Sequence, residues 1–141
     1  MNIIILCTGN SCRSQMAHAY LQSLNEKLNV YSAGTKPAEQ VNPKAVEVME
    51  EKGFDLSSHT ADHVDLYLDK AFDYVITVCG NADQACPSFM GTVNQRVHIG
   101  FDDPADAVGT EEEVYSVFRR VRDEIFRDFK KFYDEKIAGE L

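Results

Sequence analysis

A cysteine at position 7 is followed six residues later by an arginine, in the segment Cys7-Thr8-Gly9-Asn10-Ser11-Cys12-Arg13-Ser14. The residues between them, Thr8, Gly9, Asn10, Ser11 and Cys12, suit a tight loop whose backbone amides point inward. Such a nest, followed by a helix N-terminus, binds a tetrahedral oxyanion. The positive helix end and Arg13 both favour the thiolate form of Cys7, making it a nucleophile. Arg13 can grip two oxygens of the anion with its planar fork, which lysine would do less well. Ser14 can donate a hydrogen bond to the Cys7 sulfur. The segment is not a nucleotide loop, because it lacks the Gly-Lys-Ser/Thr ending and any G-x-G-x-x-G.

Two further thiols, Cys79 and Cys86, lie seven residues apart. They could be redox partners of Cys7, a buried small hydrophobe and a stray exposed thiol, or part of a zinc set. The spacing does not suit zinc: there is no C-x2-C pair, and His59 and His63, four apart, have no nearby thiol.

The elements that must hold these groups alternate between strand and helix. Ile3-Ile4-Ile5-Leu6 is a β-branched run suited to a strand buried on both faces. Met16, Ala17, Tyr20, Leu21 and Leu24 then recur at helical spacing. Val30-Tyr31 predicts a second strand ending at Gly34. Asn42-Pro43 starts a helix that Gly53 stops, with Ala45, Val48 and Met49 as its buried stripe. A shorter helical stretch is expected from about Ala61 to Leu68, a third strand over Tyr74 to Val78, and a weaker fourth over Val97 to Ile99. A capping box, Thr110 and Glu113, opens the last helix, whose apolar face is Val114, Val117, Val121, Ile125, Phe129 and Phe132. Seven of the 14 basic residues lie between Arg119 and Lys136 and read as a solvated face paired with Asp123, Glu124, Asp128 and Asp134. The pattern predicts an α/β fold: one layer of parallel sheet with about four strands, flanked by helices, in a single domain over residues 1–141. The carboxyl ends of parallel strands face one side, so Cys7 and Cys79 can meet at one crevice.

Composition narrows the partners. A formal net charge of −9 over 141 residues repels nucleic acid and anionic membranes, so neither is an expected partner. Any anion site must therefore be a local concentration of donors. The early apolar run is too short for a signal peptide, and no stretch approaches a membrane span. The expected location is cytoplasmic, where thiols stay reduced.

The string CTGNSCRSQMA resembles the low-molecular-weight protein tyrosine phosphatases, and most closely their thioredoxin-coupled arsenate reductase branch. Val30-Tyr31-Ser32-Ala33-Gly34, Asn42-Pro43-Lys44-Ala45, Val78-Cys79-Gly80 through Cys86-Pro87, and Gly100-Phe101-Asp102-Asp103-Pro104-Ala105 agree in the same order. The resemblance covers nearly the whole chain and implies a four-stranded parallel sheet with helices on both faces. It also implies an enzyme, with arsenate as substrate and phosphate and sulfate as competing anions. Cys7 would attack arsenate, and Cys79 would then attack the Cys7 sulfur and expel arsenite. Cys86 would in turn attack Cys79, leaving a Cys79–Cys86 disulfide for thioredoxin to reduce. Asp103, directly before Pro104, matches the family's acid, and Asp102 reads as structural, although Asp-Pro is also simply a good turn. The alternative within the same fold is a tyrosine phosphatase. Against it, Ala105-Asp106 follow the Asp-Pro pair where an aromatic would hold a phenyl ring. A weak phosphatase side reaction is expected.

No tightly bound cofactor is implied. In some relatives a potassium ion sits behind the loop, and Asn10, Ser32 and Asp62 match its ligands. His18 stands where the resemblance expects a glutamate, which removes a carboxylate from that set. Otherwise His18 reads as a surface residue, as does His63, while His59 is expected to support the loop through a hydrogen bond. Cys12 reads as a loop or packing residue. A monomer is expected.

Overall fold

The computed structural model describes residues 1–78 and 90–141. Four strands, β1 (Asn2–Cys7), β2 (Asn29–Gly34), β3 (Phe72–Thr77) and β4 (Val93–His98), form one sheet in the order β2-β1-β3-β4. Every neighbouring pair is parallel. The chain steps from β1 to β2 on one side, then crosses to β3 on the other. The carboxyl end of β1, which carries Cys7, therefore lies at the point where strand order reverses, where such sheets open a crevice.

The isoleucine run behaves as its composition requires. Ile3, Ile4, Ile5 and Leu6 are all essentially inaccessible, because both faces of β1 are covered. Ile3, Ile5 and Cys7 join a core with three helices, α1 (Arg13–Leu24), α2 (Pro43–Glu50) and α3 (Glu111–Phe132). Ile4 and Leu6 face the other way, onto Ala33, Val64, Phe72 and Val75. Among the described residues this second face is covered by a single 3₁₀ turn, Val64–Tyr67, shorter than the helix expected from Ala61. Gly34 N donates to Asp62 O at 2.8 Å, and Gly34 bridges His63 in parallel fashion. That pairing along β2 holds the chain extended and delays the turn to residue 64.

The fourth strand is longer than its sequence suggests. Asn94, Gln95 and Arg96 are exposed on a sheet edge, where no apolar alternation is needed and polar side chains discourage pairing with another chain. Local signals elsewhere are used as read. Asn42 Oδ1 accepts from Lys44 N at 2.9 Å with Pro43 in the first turn, and both halves of the Thr110/Glu113 capping box form.

On α3, Val114 and Val117 are only partly buried, whereas Phe118 and Arg122 face inward. Arg120, Arg127 and Lys130 pair along α3 or just beyond its end, as expected. Arg122 departs from the solvated face. It is buried, donates to Val48 O at the end of α2 at 2.8 Å, and pairs with Glu51 at 2.8 Å. Arg119 grips the same carboxylate, and the two guanidinium groups hold Glu51 down to about 2.

Candidate active site

Strand β1 ends at Cys7 and α1 begins at Arg13, so the five residues between must reverse the backbone. Asn10 makes this possible with φ of 49°, a left-handed conformation that asparagine tolerates better than most residues. The loop's carbonyls are tied down on its outer side. Thr8 O accepts from Lys36 N, Gly9 O from Ala38 N, and Ser11 O from Asn42 N, each at 2.9 Å. Asn10 O accepts from the Gln15 side chain at 3.0 Å. Because a trans peptide sets its N–H opposite its C=O, these four bonds turn the amides of residues 9–12 inward. Gly34 at the end of β2 lies close beneath: a Cβ there would come within 2.4 Å of Thr8 O.

The Cys7 sulfur is buried inside this ring of amides. Asn10 N donates to it at 3.2 Å and the Ser14 hydroxyl lies 3.0 Å away. Ser14 is itself oriented by Asn10, whose Nδ2 donates to its oxygen at 2.8 Å, leaving the hydroxyl proton free to point at sulfur. Cys12 is also buried, and burial pushes its thiol up to about 12, so it packs as a neutral group while its amide serves the loop.

Arg13 is held for planar recognition. One nitrogen donates to Phe101 O at 3.1 Å, and another lies 3.2 Å from Asp103 Oδ2. Asp103 caps the short turn Pro104–Asp106 by accepting from Ala105 N at 3.0 Å. One carboxyl oxygen thus fixes the turn and the other reaches the anion site. An arriving oxyanion competes with Asp103 for Arg13. Asp102 points away to Arg120 at 3.3 Å, in keeping with a structural part.

The back of the loop differs from a surface. His18 is half buried, with Nδ1 2.8 Å from Ser32 Oγ, and burial aided by the neighbouring His59 lowers it to about 4. The imidazole is therefore neutral at ordinary pH. His59 supports the loop indirectly: its Nδ1 meets Gln15 Oε1 at 2.9 Å, and Gln15 carries the bond to Asn10. His63 is exposed and caps the 3₁₀ turn.

The cation set does not fit an alkali ion, which asks for open oxygens. Asn10 Oδ1 already accepts from Asp62 N at 2.9 Å and Gln15 Nε2 at 3.1 Å. The two carboxyl oxygens of Asp62 accept from Thr60 and Tyr67 at 2.7 and 3.0 Å. Among the described residues no cluster of three or more His, Cys, Asp or Glu could hold a metal ion.

The family described as low molecular weight phosphotyrosine protein phosphatase matches residues 2–140. The chain belongs to this family. Within it, the chain is 51% identical over 131 residues to an arsenate reductase of Halalkalibacterium halodurans, covering 92% of this chain and 93% of that protein. It is 50% identical, again over 131 residues and with the same coverage, to an arsenate reductase of Bacillus subtilis. Among solved structures, an arsenate reductase in the phosphate binding state has a TM-score of 0.78 at 29% identity, covering 95% of this chain and 97% of that one. An arsenate reductase from Archaeoglobus fulgidus has a TM-score of 0.72 at 28% identity, covering 94% and 99%. The loop is thus an oxyanion site of this family, suited to phosphate or arsenate.

The structure brings together Cys7, the loop of Thr8 to Cys12, Arg13, Ser14 and Asp103. Cys79 and Cys86 lie outside the described residues. Sequence reasoning missed Gln15, a fully buried amide with four hydrogen-bond contacts, because a glutamine in the first turn of a helix reads as solvent-facing. No helix among the described residues is long and apolar enough to cross a membrane.

Proposed function

We propose that this protein is an arsenate reductase that runs on three thiols. The observation that carries the reading is the exit of β3 beside the nucleophile. Val78 N donates to Leu6 O at 3.0 Å, so the chain leaves β3 next to Cys7, and Cys79 is the following residue in sequence. The half-identity to arsenate reductases along nearly the whole chain supports the same conclusion.

Arsenate enters the ring of amides and is gripped by Arg13. The Cys7 thiolate attacks arsenic, and one oxygen leaves as water after taking a proton from Asp103. Cys79 thiolate then attacks the Cys7 sulfur. The electron pair of the S–As bond stays with arsenic, which departs as arsenite, and a Cys7–Cys79 disulfide remains. Cys86 attacks Cys79, frees Cys7 as a thiol, and leaves Cys79–Cys86 oxidised. An external dithiol of the thioredoxin class returns two electrons. The enzyme works as a monomer in a reducing, cytoplasmic compartment. Phosphate and sulfate compete for the loop, and slow hydrolysis of phosphate monoesters accompanies the main reaction, since the same amides stabilise a phosphoryl transition state.

The test is arsenate-dependent NADPH consumption with thioredoxin and its reductase, run beside hydrolysis of an aryl phosphate. Arsenate-dependent turnover far above the phosphatase rate is expected. Hydrolysis without arsenate-dependent oxidation would make the protein a phosphatase instead.

A further inference from the structure

Beside the anion loop, joined to it through Gln15, lies a cleft of about 180 Å³ lined in part by Gln15, His18, Ser32, His59 and Asp62. Gln15 closes it towards the loop. Its Nε2 lies 3.0 Å from Asn10 O, 3.1 Å from Asn10 Oδ1 and 2.9 Å from Thr60 O. An electropositive centre ringed by three oxygens from two chain segments is the arrangement an alkali cation would create by coordination. Here an amide creates it covalently, from within the chain. The other end of the same amide is fixed by His59, whose ring packs 5.2 Å from that of His18. His18 in turn engages Ser32, the remaining oxygen of the cation set, at 2.8 Å. An imidazole offers no oxygen to a hard cation and occupies the position from which a carboxylate would reach one.

We propose that the amide–imidazole network of Gln15, His59 and His18 holds the Asn10 turn in place of a monovalent cation, so that anion binding in this protein is indifferent to potassium. Gln15 is then a positioning residue: it acts through Asn10, which aims both a backbone N–H at the Cys7 sulfur and a side-chain amide at Ser14. His18 completes the exclusion of the cation, since no carboxylate stands there to draw an ion in against the hydrogen bonds that engage Asn10 Oδ1 and Asp62. The proposal rests on the functional reading only in taking the loop to bind an oxyanion.

The experiment measures phosphate affinity and melting temperature in potassium, sodium and choline chloride at equal ionic strength. For the wild-type protein, phosphate affinity should agree within twofold across the three salts, with no potassium-specific rise in melting temperature. His18→Glu should restore the missing carboxylate, so potassium should raise its melting temperature and tighten phosphate at least fivefold over choline. Gln15→Met should weaken phosphate and raise KM for an aryl phosphate about tenfold in every salt, with kcat kept within threefold. Potassium-specific tightening above threefold in the wild-type protein would overturn the proposal, as would a His18→Glu protein blind to potassium. A fall in kcat with unchanged KM in Gln15→Met would remove Gln15 from the positioning role. Absence of phosphate binding in all salts would overturn the anion-loop reading instead, and the melting arm would still report on the cation.

Discussion

Replacing Asp103 by asparagine separates proton donation from anion binding, because the two effects have opposite signs. Asparagine keeps a carbonyl oxygen for Ala105 N, so the turn over Pro104–Asp106 should survive. It cannot give up a proton to the leaving oxygen. Loss of a positioned general acid costs roughly 10²- to 10⁴-fold in rate, or about 3–5 kcal/mol on the barrier. Meanwhile the negative charge 3.2 Å from Arg13 disappears, and the guanidinium no longer divides its attention between carboxylate and oxyanion. Two unit charges about 5 Å apart in an effective dielectric of about 40, intermediate for a half-open site, repel by roughly 1.7 kcal/mol. Salt screening brings this to about 1 kcal/mol, so phosphate should bind about fivefold tighter. The assay pairs kcat for an aryl phosphate with the inhibition constant of inorganic phosphate, and single-turnover arsenite release provides a second measure of the chemical step. An Asp103→Asn protein with kcat within threefold of wild type, or with weakened phosphate binding, would refute the assignment.

Four further substitutions each carry an expected outcome. Cys86→Ser should release one arsenite per enzyme and stall with a Cys7–Cys79 disulfide, detectable by mapping, while hydrolysis of an aryl phosphate by the reduced protein persists; repeated turnover with thioredoxin would make Cys86 a bystander. Gly34→Ala drives a Cβ against Thr8 O and Asn10 N, so it should cost about 1–3 kcal/mol and weaken phosphate. Gly53→Ala, strained only by its φ of 86° with open space around it, should cost about 1–2 kcal/mol and leave phosphate binding untouched. Glu51 is held at about 2 by Arg119 and Arg122, below its ordinary 4.5, so its contribution is present above pH 4.5 and is lost as pH falls towards 2. The gap in melting temperature between wild type and Glu51→Gln, about 2–4 °C for a discounted pair worth roughly 1 kcal/mol, should therefore narrow over that window on acid titration. A gap that stays constant to pH 2 would show that these ion pairs contribute nothing.

What the sequence determined about this protein is what short-range chemistry encodes. The Cys7-to-Arg13 spacing, the isoleucine run before it and the helical periodicity after it all concern neighbours along the chain. A strand, a loop of amides and a helix terminus therefore followed from local rules, and so did the caps at Asn42 and Thr110. The edge strand Val93–His98 was poorly legible because exposed positions carry no apolar pattern. The helix expected from Ala61 shrank because pairing of residues 62 and 63 with β2 overrode local propensity.

Tertiary structure alone decided which polar residues went inside. Arg122 and Gln15 look like surface residues by type and spacing, yet each is buried because a backbone carbonyl and an ionisable side chain from a distant segment meet it. For Arg122 these are Val48 O and Glu51; for Gln15 they are Thr60 O and His59, 45 and 44 residues away. The same holds for His18, read as a surface group on α1 until Ser32 and the ring of His59 are found beside it. Burial of a polar group depends on partners supplied across the fold, and no periodicity along the chain announces which partners those will be.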